Sequence, residues 1–253
     1  MTGPLLLVES NTTGTGRQFA QRARDLGVEP VLVAADPARY PYARLDGLRI
    51  ELADTSDEAA VHAVARRMGA AGITSSSEYY IACAAAVARA AGLPGPEPGA
   101  IRACRDKAAQ RRRLRAAGEP VPRFAVVSDA ESAVREAVRI GFPVVVKPVH
   151  GSGSVGVRLC PDAASTARQA AALTSRTTNE RGLNVSSEVL VEEYMPGAEY
   201  SVEVFGGAAV MVVAKHLGPP PAFVEIGHDL PAPLWPTIAT EVRLLADRIA
   251  CPR

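Results

Sequence analysis

Short unbroken apolar runs alternate with stretches of helical spacing along the first third of this chain. Leu5-Leu6-Leu7-Val8 has the length and character of a strand buried on both faces, and Pro30 to Asp36, centred on Val31, Leu32 and Val33, reads as a second. Between them the turn Asn11-Thr12-Thr13-Gly14-Thr15-Gly16 leads into a helical stretch from about Arg17 to Leu26, which predicts a β-α-β unit with its loop at the carboxyl end of the first strand. Asp57 to Met68 and Glu78 to Ala91 have helical spacing, and Ile73-Thr74 starts a short strand that runs into the polar Ser75-Ser76-Ser77. Such alternation predicts a parallel sheet covered on both faces. Leu93-Pro94-Gly95-Pro96-Glu97-Pro98-Gly99 breaks the pattern and is taken as the edge of a first lobe.

Arg105-Asp106-Lys107 then opens a helix to about Ala117, whose Arg111, Arg112, Arg113 and Arg115 read as a solvated face. Phe124-Ala125-Val126-Val127 is a strand, Asp129 to Ile140 an amphipathic helix capped by Ser128, and Pro143 to Lys147 a buried strand that ends in a lysine. Val157 to Cys160 closes a hairpin on that strand, Asp162 to Leu173 is a further helix, and Thr174 to Ser187 is a polar, mobile connection. Val189 to Met195 forms a strand ending at Pro196-Gly197. Glu199 to Phe205 and Ala208 to Lys215 form a hairpin about Gly206-Gly207, Lys215 to Pro233 is a proline-rich loop, and Trp235 to Ala250 is a final helix. Consecutive hairpins after alternating strands and helices indicate a second lobe with antiparallel sheet.

Composition narrows the class. At 253 residues and 47% hydrophobic, the chain is long enough for a sizeable core and for two lobes or more. The 28 basic residues balance 27 acidic ones, and aromatic residues make up 5%, which argues against nucleic acid or an anionic membrane as the partner. Cys83, Cys104, Cys160 and Cys251 show no Cys-x-x-Cys spacing and do not pair with histidines at zinc-site intervals, so they read as reduced thiols. Leu5 to Val8 is too short to span a bilayer and lacks the pattern of a signal peptide, which makes the cytoplasm the expected compartment.

Candidate chemistry lies where strands end. Lys147 is followed by Gly151-Ser152-Gly153-Ser154-Val155-Gly156, so a lysine on a strand meets a Gly/Ser loop. Two readings are open for the loop: a flexible hairpin, or a cradle whose backbone amides approach polyphosphate oxygens while the lysine supplies a compact charge. It is not a Walker loop, because the lysine precedes the glycines. The earlier Gly14-x-Gly16, with Asp36 about twenty residues on, raises a dinucleotide fold, but Phe19 stands where the third glycine belongs and disfavours NAD. Asn11 and Thr15 in that turn either serve its geometry alone or touch a substrate.

Three separated pieces fit one template. They are Asp106-Lys107; Lys147 before Gly151 to Gly156; and, about forty residues later, Val191-Glu192-Glu193-Tyr194-Met195-Pro196-Gly197-Ala198-Glu199-Tyr200-Ser201-Val202. Together they resemble the ATP-grasp superfamily of carboxylate-amine ligases. The opening Leu7 to Gly16 and the stretch Phe223-Val224-Glu225-Ile226-Gly227-His228 look most like its branch of amino-acid and dipeptide ligases. The resemblance covers nearly the whole chain.

That resemblance implies a mixed α/β and α+β architecture. Residues 1–95 would be a Rossmann-like pre-ATP-grasp domain, 96–187 the small α/β subdomain with the Gly-rich loop, and 188–253 a partial C-terminal lobe lacking its last strands. It implies ATP and Mg2+ as cofactors. Lys107 and Lys147 would reach the phosphates, and Gly151, Ser152, Gly153, Ser154 and Val155 would fold over them. Glu192, with Glu193, Tyr194 and Met195, would meet the adenine, and Glu199 would take the ribose hydroxyls. The partners implied are a small-molecule carboxylate and an amine, one of them an amino acid, near Asn11, Thr15, Lys215, Glu225 and His228, with His228 as a candidate general base. The reaction implied is phosphorylation of the carboxylate followed by attack of the amine on the acyl phosphate.

In the family the magnesium ligands, acidic residues and an asparagine, lie on strands beyond the final helix, and this sequence stops at Cys251-Pro252-Arg253. Glu225 and Asp229 offer oxygens but stand outside that motif, so metal ligands are unassigned. The expectation is a fragment of a longer ligase or a shortened protein. The second class of function kept open is a nucleotide-binding or interaction module without turnover, whose uncovered sheet edge would favour a homo-oligomer.

Overall fold

The computed structural model of the chain describes residues 3–12, 14–179, 181–205, 208–231 and 240. Apart from Thr240, the helix expected over Trp235 to Ala250 lies outside the described residues, as does the turn at Gly206-Gly207. The chain divides into two compact units, Met1–Arg113 and Leu114–Arg253.

In the first unit, β1 (Leu5–Val8), α1 (Gly14–Asp25), β2 (Pro30–Ala34), α2 (Pro41–Leu45), β3 (Arg49–Leu52), α3 (Glu58–Arg67), β4 (Gly72–Thr74), α4 (Ile81–Ala90) and α5 (Pro98–Arg105) follow in order, and α6 (Lys107–Ala116) begins there. The strands form a parallel sheet in the order β3-β2-β1-β4. β2 is buried along its whole length, which is why its residues are apolar on both faces. The edge strand β3 is absent from the sequence reading: Arg49-Ile50-Glu51-Leu52 is half charged, and Glu51 is held by Arg49 at 2.9 Å and by Arg67 at 2.6 Å. The proline-rich stretch expected to end the lobe instead starts a helix. Pro98 occupies the first turn of α5, whose cap is Glu97, accepting from the Gly99 amide at 3.4 Å, and α5 packs on α4. The compact unit therefore continues to Arg113 rather than closing at residue 95.

In the second unit, β5 (Phe124–Val127), α7 (Ala130–Ile140), β6 (Val144–Pro148), β7 (Arg158–Cys160), α8 (Ala163–Thr174) and β8 (Val189–Glu193) precede β9 (Glu199–Phe205), β10 (Ala208–Leu217) and β11 (Glu225–Asp229). One antiparallel sheet has the order β5-β8-β6-β7 and another the order β11-β10-β9. β8, expected to open the last segment at residue 188, thus lies inside the sheet of the preceding one. Helices α7 and α8 cover one face of it, setting Ala133, Ala137, Ala170 and Leu173 against Val144, Val146, Val189 and Val191.

Each of these helices starts on an aspartate. Asp129, rather than Ser128, caps α7 by accepting the Ser132 amide at 2.7 Å, and Asp162 forms a capping box with Ser165 on α8. The connection over 174–187 folds back on itself through a Thr178–Asn184 bridge. The expected loop from Lys215 to Pro233 contains β11, paired to the end of β10. No described helix is long and apolar enough to cross a membrane.

Candidate functional site

The site of the second unit starts from strand register. Lys147 on β6 stands opposite Leu190, and Val145 opposite Glu192 on β8, so Lys147 and Glu192 are diagonal neighbours on one face. Val144, Val146, Val189 and Val191 take the other face, against the helices. The sequence Val-Val-Val-Lys therefore buries alternate valines in the core and delivers the lysine to the opposite side. There Lys147 and Glu192 form an ion pair whose side chains are only 12% and 8% exposed. Two charges drawn this far out of water need each other or a polar ligand.

Beyond β6 the chain enters the Gly/Ser loop. Gly151, Gly153, Ser154 and Gly156 all have positive φ, and Ser154 at +60° is one of the non-glycine residues that does so. The loop is closed by two turns, in which the Val155 amide donates to the Ser152 carbonyl at 3.3 Å and the Val157 amide to the Ser154 carbonyl at 3.1 Å. Among the described residues, the amides of Ser152, Gly153, Ser154 and Gly156 donate to no protein group. Gly156 is also fixed by crowding, since a Cβ there would come within 2.9 Å of Leu173.

Glu193, the next residue on β8, faces the other way. Its carboxylate takes the Arg123 guanidinium in two bonds of 3.1 and 3.2 Å and the Arg123 amide at 3.1 Å, and this arginine holds its carboxyl below the usual range. The Glu193 side chain is thus committed to protein, which leaves its backbone for any ligand. Tyr194 lies against Phe223 with ring centroids 6.4 Å apart, and Met195 is exposed.

A second polar group runs across the other sheet. Lys215 on β10 has Glu199 of β9 on one side and His228 of β11 on the other. The Lys215 ammonium lies 2.6 Å from Glu225 and 3.7 Å from Glu199, and His228 Nε2 lies 3.1 Å from the second oxygen of Glu225. The Lys215 hydrogen bond, with a smaller one from His228 and against the upward pull of desolvation, holds the Glu225 carboxyl below its ordinary value. Sequence reasoning grouped Lys215, Glu225 and His228 without the strand that joins them. It missed His216, which pairs with Asp229 at 2.9 Å.

Lys107, Asn11 and Thr15 belong to the first unit. Lys107 begins α6, whose start is fixed by the Ala109 amide donating to Asp106 at 2.9 Å. The Asn11 amide donates to Ser76 Oγ at 2.9 Å, and Thr15 is exposed in the first turn of α1. Sequence reasoning also missed Glu9, a carboxylate only 3% exposed at the end of β1. It accepts from the Ala35 amide at 2.7 Å, from Thr55 Oγ1 at 2.9 Å and from the Tyr40 hydroxyl. An acid closing an apolar run was the only local sign of it. Among the described residues, no group of three or more His, Cys, Asp or Glu comes together as a metal site.

Residues 140–251 match the family model described as ATP-grasp domain, a family whose members are ATP-dependent ligases. The chain is 38% identical to the uncharacterized protein y4rH of Sinorhizobium fredii (strain NBRC 101917 / NGR234) over 92% of its own length and 49% of that protein. It is 34% identical to a D-alanine--D-alanine ligase of Synechococcus sp. (strain JA-3-3Ab) over 48% of this chain and 36% of the ligase. The fold is that of the L-amino acid ligase from Bacillus licheniformis, with a TM-score of 0.73 and 19% identity over 98% of this chain and 60% of the other. The chain thus spans about half the length of the first relative and less than two thirds of each of the others.

Proposed function

We propose that this chain binds ATP and serves a ligase that joins a small-molecule carboxylate, one partner being an amino acid, to an amine through an acyl phosphate. The observation that carries the reading is the buried Lys147–Glu192 pair, turned away from the helix-packed core beside a loop with unengaged amides. A triphosphate suits those groups: the amides donate to its oxygens, and the lysine offsets its charge. Glu192 and the backbone from Glu193 to Met195 would hold the adenine, and Glu199 the ribose.

ATP, when bound, supplies the phosphoryl group that activates a carboxylate; the remaining roles fall to the chain. The Gly/Ser loop would keep water from the activated acid. Lys215 would orient a substrate carboxylate. With Nε2–H donating to Glu225, His228 would keep Nδ1 as an acceptor for the amine proton, and the Glu225 charge would hold that tautomer. Mg2+, when bound with the nucleotide, would offset phosphate charge. Among the described residues no group of three or more His, Cys, Asp or Glu comes together to hold it.

Isothermal titration of the chain with ATP and magnesium tests the reading. Binding in the micromolar to millimolar range, lost in Lys147→Ala and Glu192→Ala, is the expected result. ADP release with mixed amino acids then tests turnover. A folded chain that takes up no ATP would overturn it.

A further inference from the structure

A concavity of about 470 Å³ lies between β7 and α8, in the size range of small-molecule sites, and shares no residue with the groups assigned above. Two arginines, Arg158 of β7 and Arg168 of α8, line it together with the apolar Leu159, Pro161 and Pro221. We propose that it is a binding site for a small organic anion, an oxyanion headgroup on an apolar body, and that its occupancy is felt by the Gly/Ser loop.

The charge argument is direct. Among the described residues, neither Arg158 nor Arg168 has a carboxylate in ion-pair contact, while the Asp162 carboxylate near Arg168 is engaged by the Ser165 amide and hydroxyl at 2.7 Å each. Two planar forks with unfilled donors match the oxygens of a phosphate or carboxylate, and the proline and leucine walls suit the rest of such a molecule.

The walls are also fixed in place. The Leu159 amide donates to the Pro221 carbonyl at 2.9 Å, and Arg158 bridges to Ala222, so the outer edge of β7 is covered by the segment that leads into β11. Gln169, which lines the same concavity, donates from Nε2 to the Gly156 carbonyl at 2.8 Å. A ligand seated on α8 therefore rests on the helix that holds the end of the Gly/Ser loop. Coupling of this kind needs only that the ligand favour one loop arrangement over another.

Phenyl phosphate is the probe, titrated into the wild-type chain, Arg158→Gln, Arg168→Gln and Lys147→Ala. The expected result is binding weakened about tenfold or more by either arginine substitution and unchanged by Lys147→Ala. Benzoate titrated alongside shows which oxyanion the site prefers. Arg168 is exposed on α8, so its variant carries the test if Arg158→Gln disturbs β7. Hydrogen exchange over residues 151–157 should slow on saturation with phenyl phosphate, and in Gln169→Leu, compared at probe concentrations that saturate that variant, it should not respond. Loss of binding in Lys147→Ala with no effect of the arginines would place the anion in the nucleotide site and overturn the proposal. So would an absence of binding to wild type at millimolar probe, and unchanged loop exchange would overturn the coupling. Because Lys147→Ala separates the two sites, failure here leaves the ATP reading standing.

Discussion

Lys147 and Glu192 each neutralise a charge the fold has removed from water. Taking away one partner strands the other, and for buried pairs this costs more than the pair itself contributes. Lys147→Met should lower unfolding free energy by about 3 kcal/mol in urea denaturation, and the double variant Lys147→Met/Glu192→Leu should regain most of it. A Lys147→Met chain as stable as wild type would mean that water reaches Glu192. Glu225 makes a different prediction, because it is more exposed and its partner Lys215 lies across a strand. Its folded-state pKa lies below the unfolded value, so its contribution is present above the ordinary glutamate range near about 4.3 and drains away as pH falls through the lowered value. Protection factors of the β11 amides, taken against the intrinsic exchange rate at each pH, should therefore fall on acidification, less so in Lys215→Met, where the stabilising partner is already gone. Equal acid sensitivity in both chains would remove the ion pair as its cause.

At the scale of elements, α1 meets the end of β1 through one glycine. A Cβ on Gly16 would lie 2.0 Å from the Asn11 carbonyl oxygen and 2.9 Å from the Tyr42 hydroxyl, whereas Gly14 has nothing within 4 Å. Gly16→Ala must push the helix start off the loop and should cost about 1–3 kcal/mol in a thermal melt. Gly14→Ala should be neutral or stabilising by about 0.5 kcal/mol. Equal melting temperatures for the two variants would contradict the close approach. The turn was legible because glycines between an apolar run and a helical one mark it, and Lys147 was legible because a lysine closing a β-branched run is unusual in either a core or a surface strand. β3 and β11 were not. Arg49 to Leu52 and Glu225 to Asp229 carry polar residues through half or more of their length, and what makes them strands is a partner with enough exposed ladder to accept them. Glu9 was illegible for a related reason: its donors come from residues 35, 40 and 55, and no local pattern assembles them.

For the whole molecule, the two compact units each have their own buried core. One gathers Leu7, Leu32, Tyr40 and Ala43 around the parallel sheet, and the other gathers Ile140, Val144, Val146 and Val191 around the antiparallel one. The boundary proved hard to read because prolines, which usually punctuate, here open a helix at Pro98, and the chain carries on through α5 and into α6 before the first unit ends. A domain is defined by burying its own apolar surface, and by that measure a piece ending with α6 contains everything the first core needs. Residues 1–116 expressed alone should show α/β circular dichroism and a single cooperative thermal transition. A piece cut at residue 95, where the proline-rich stretch suggests a boundary, removes α5 and exposes the face of α4 it covers, so it should melt several degrees lower or aggregate. If the two pieces melt alike, α5 contributes nothing to the first core; if the longer one fails to fold, the unit depends on the rest of the chain.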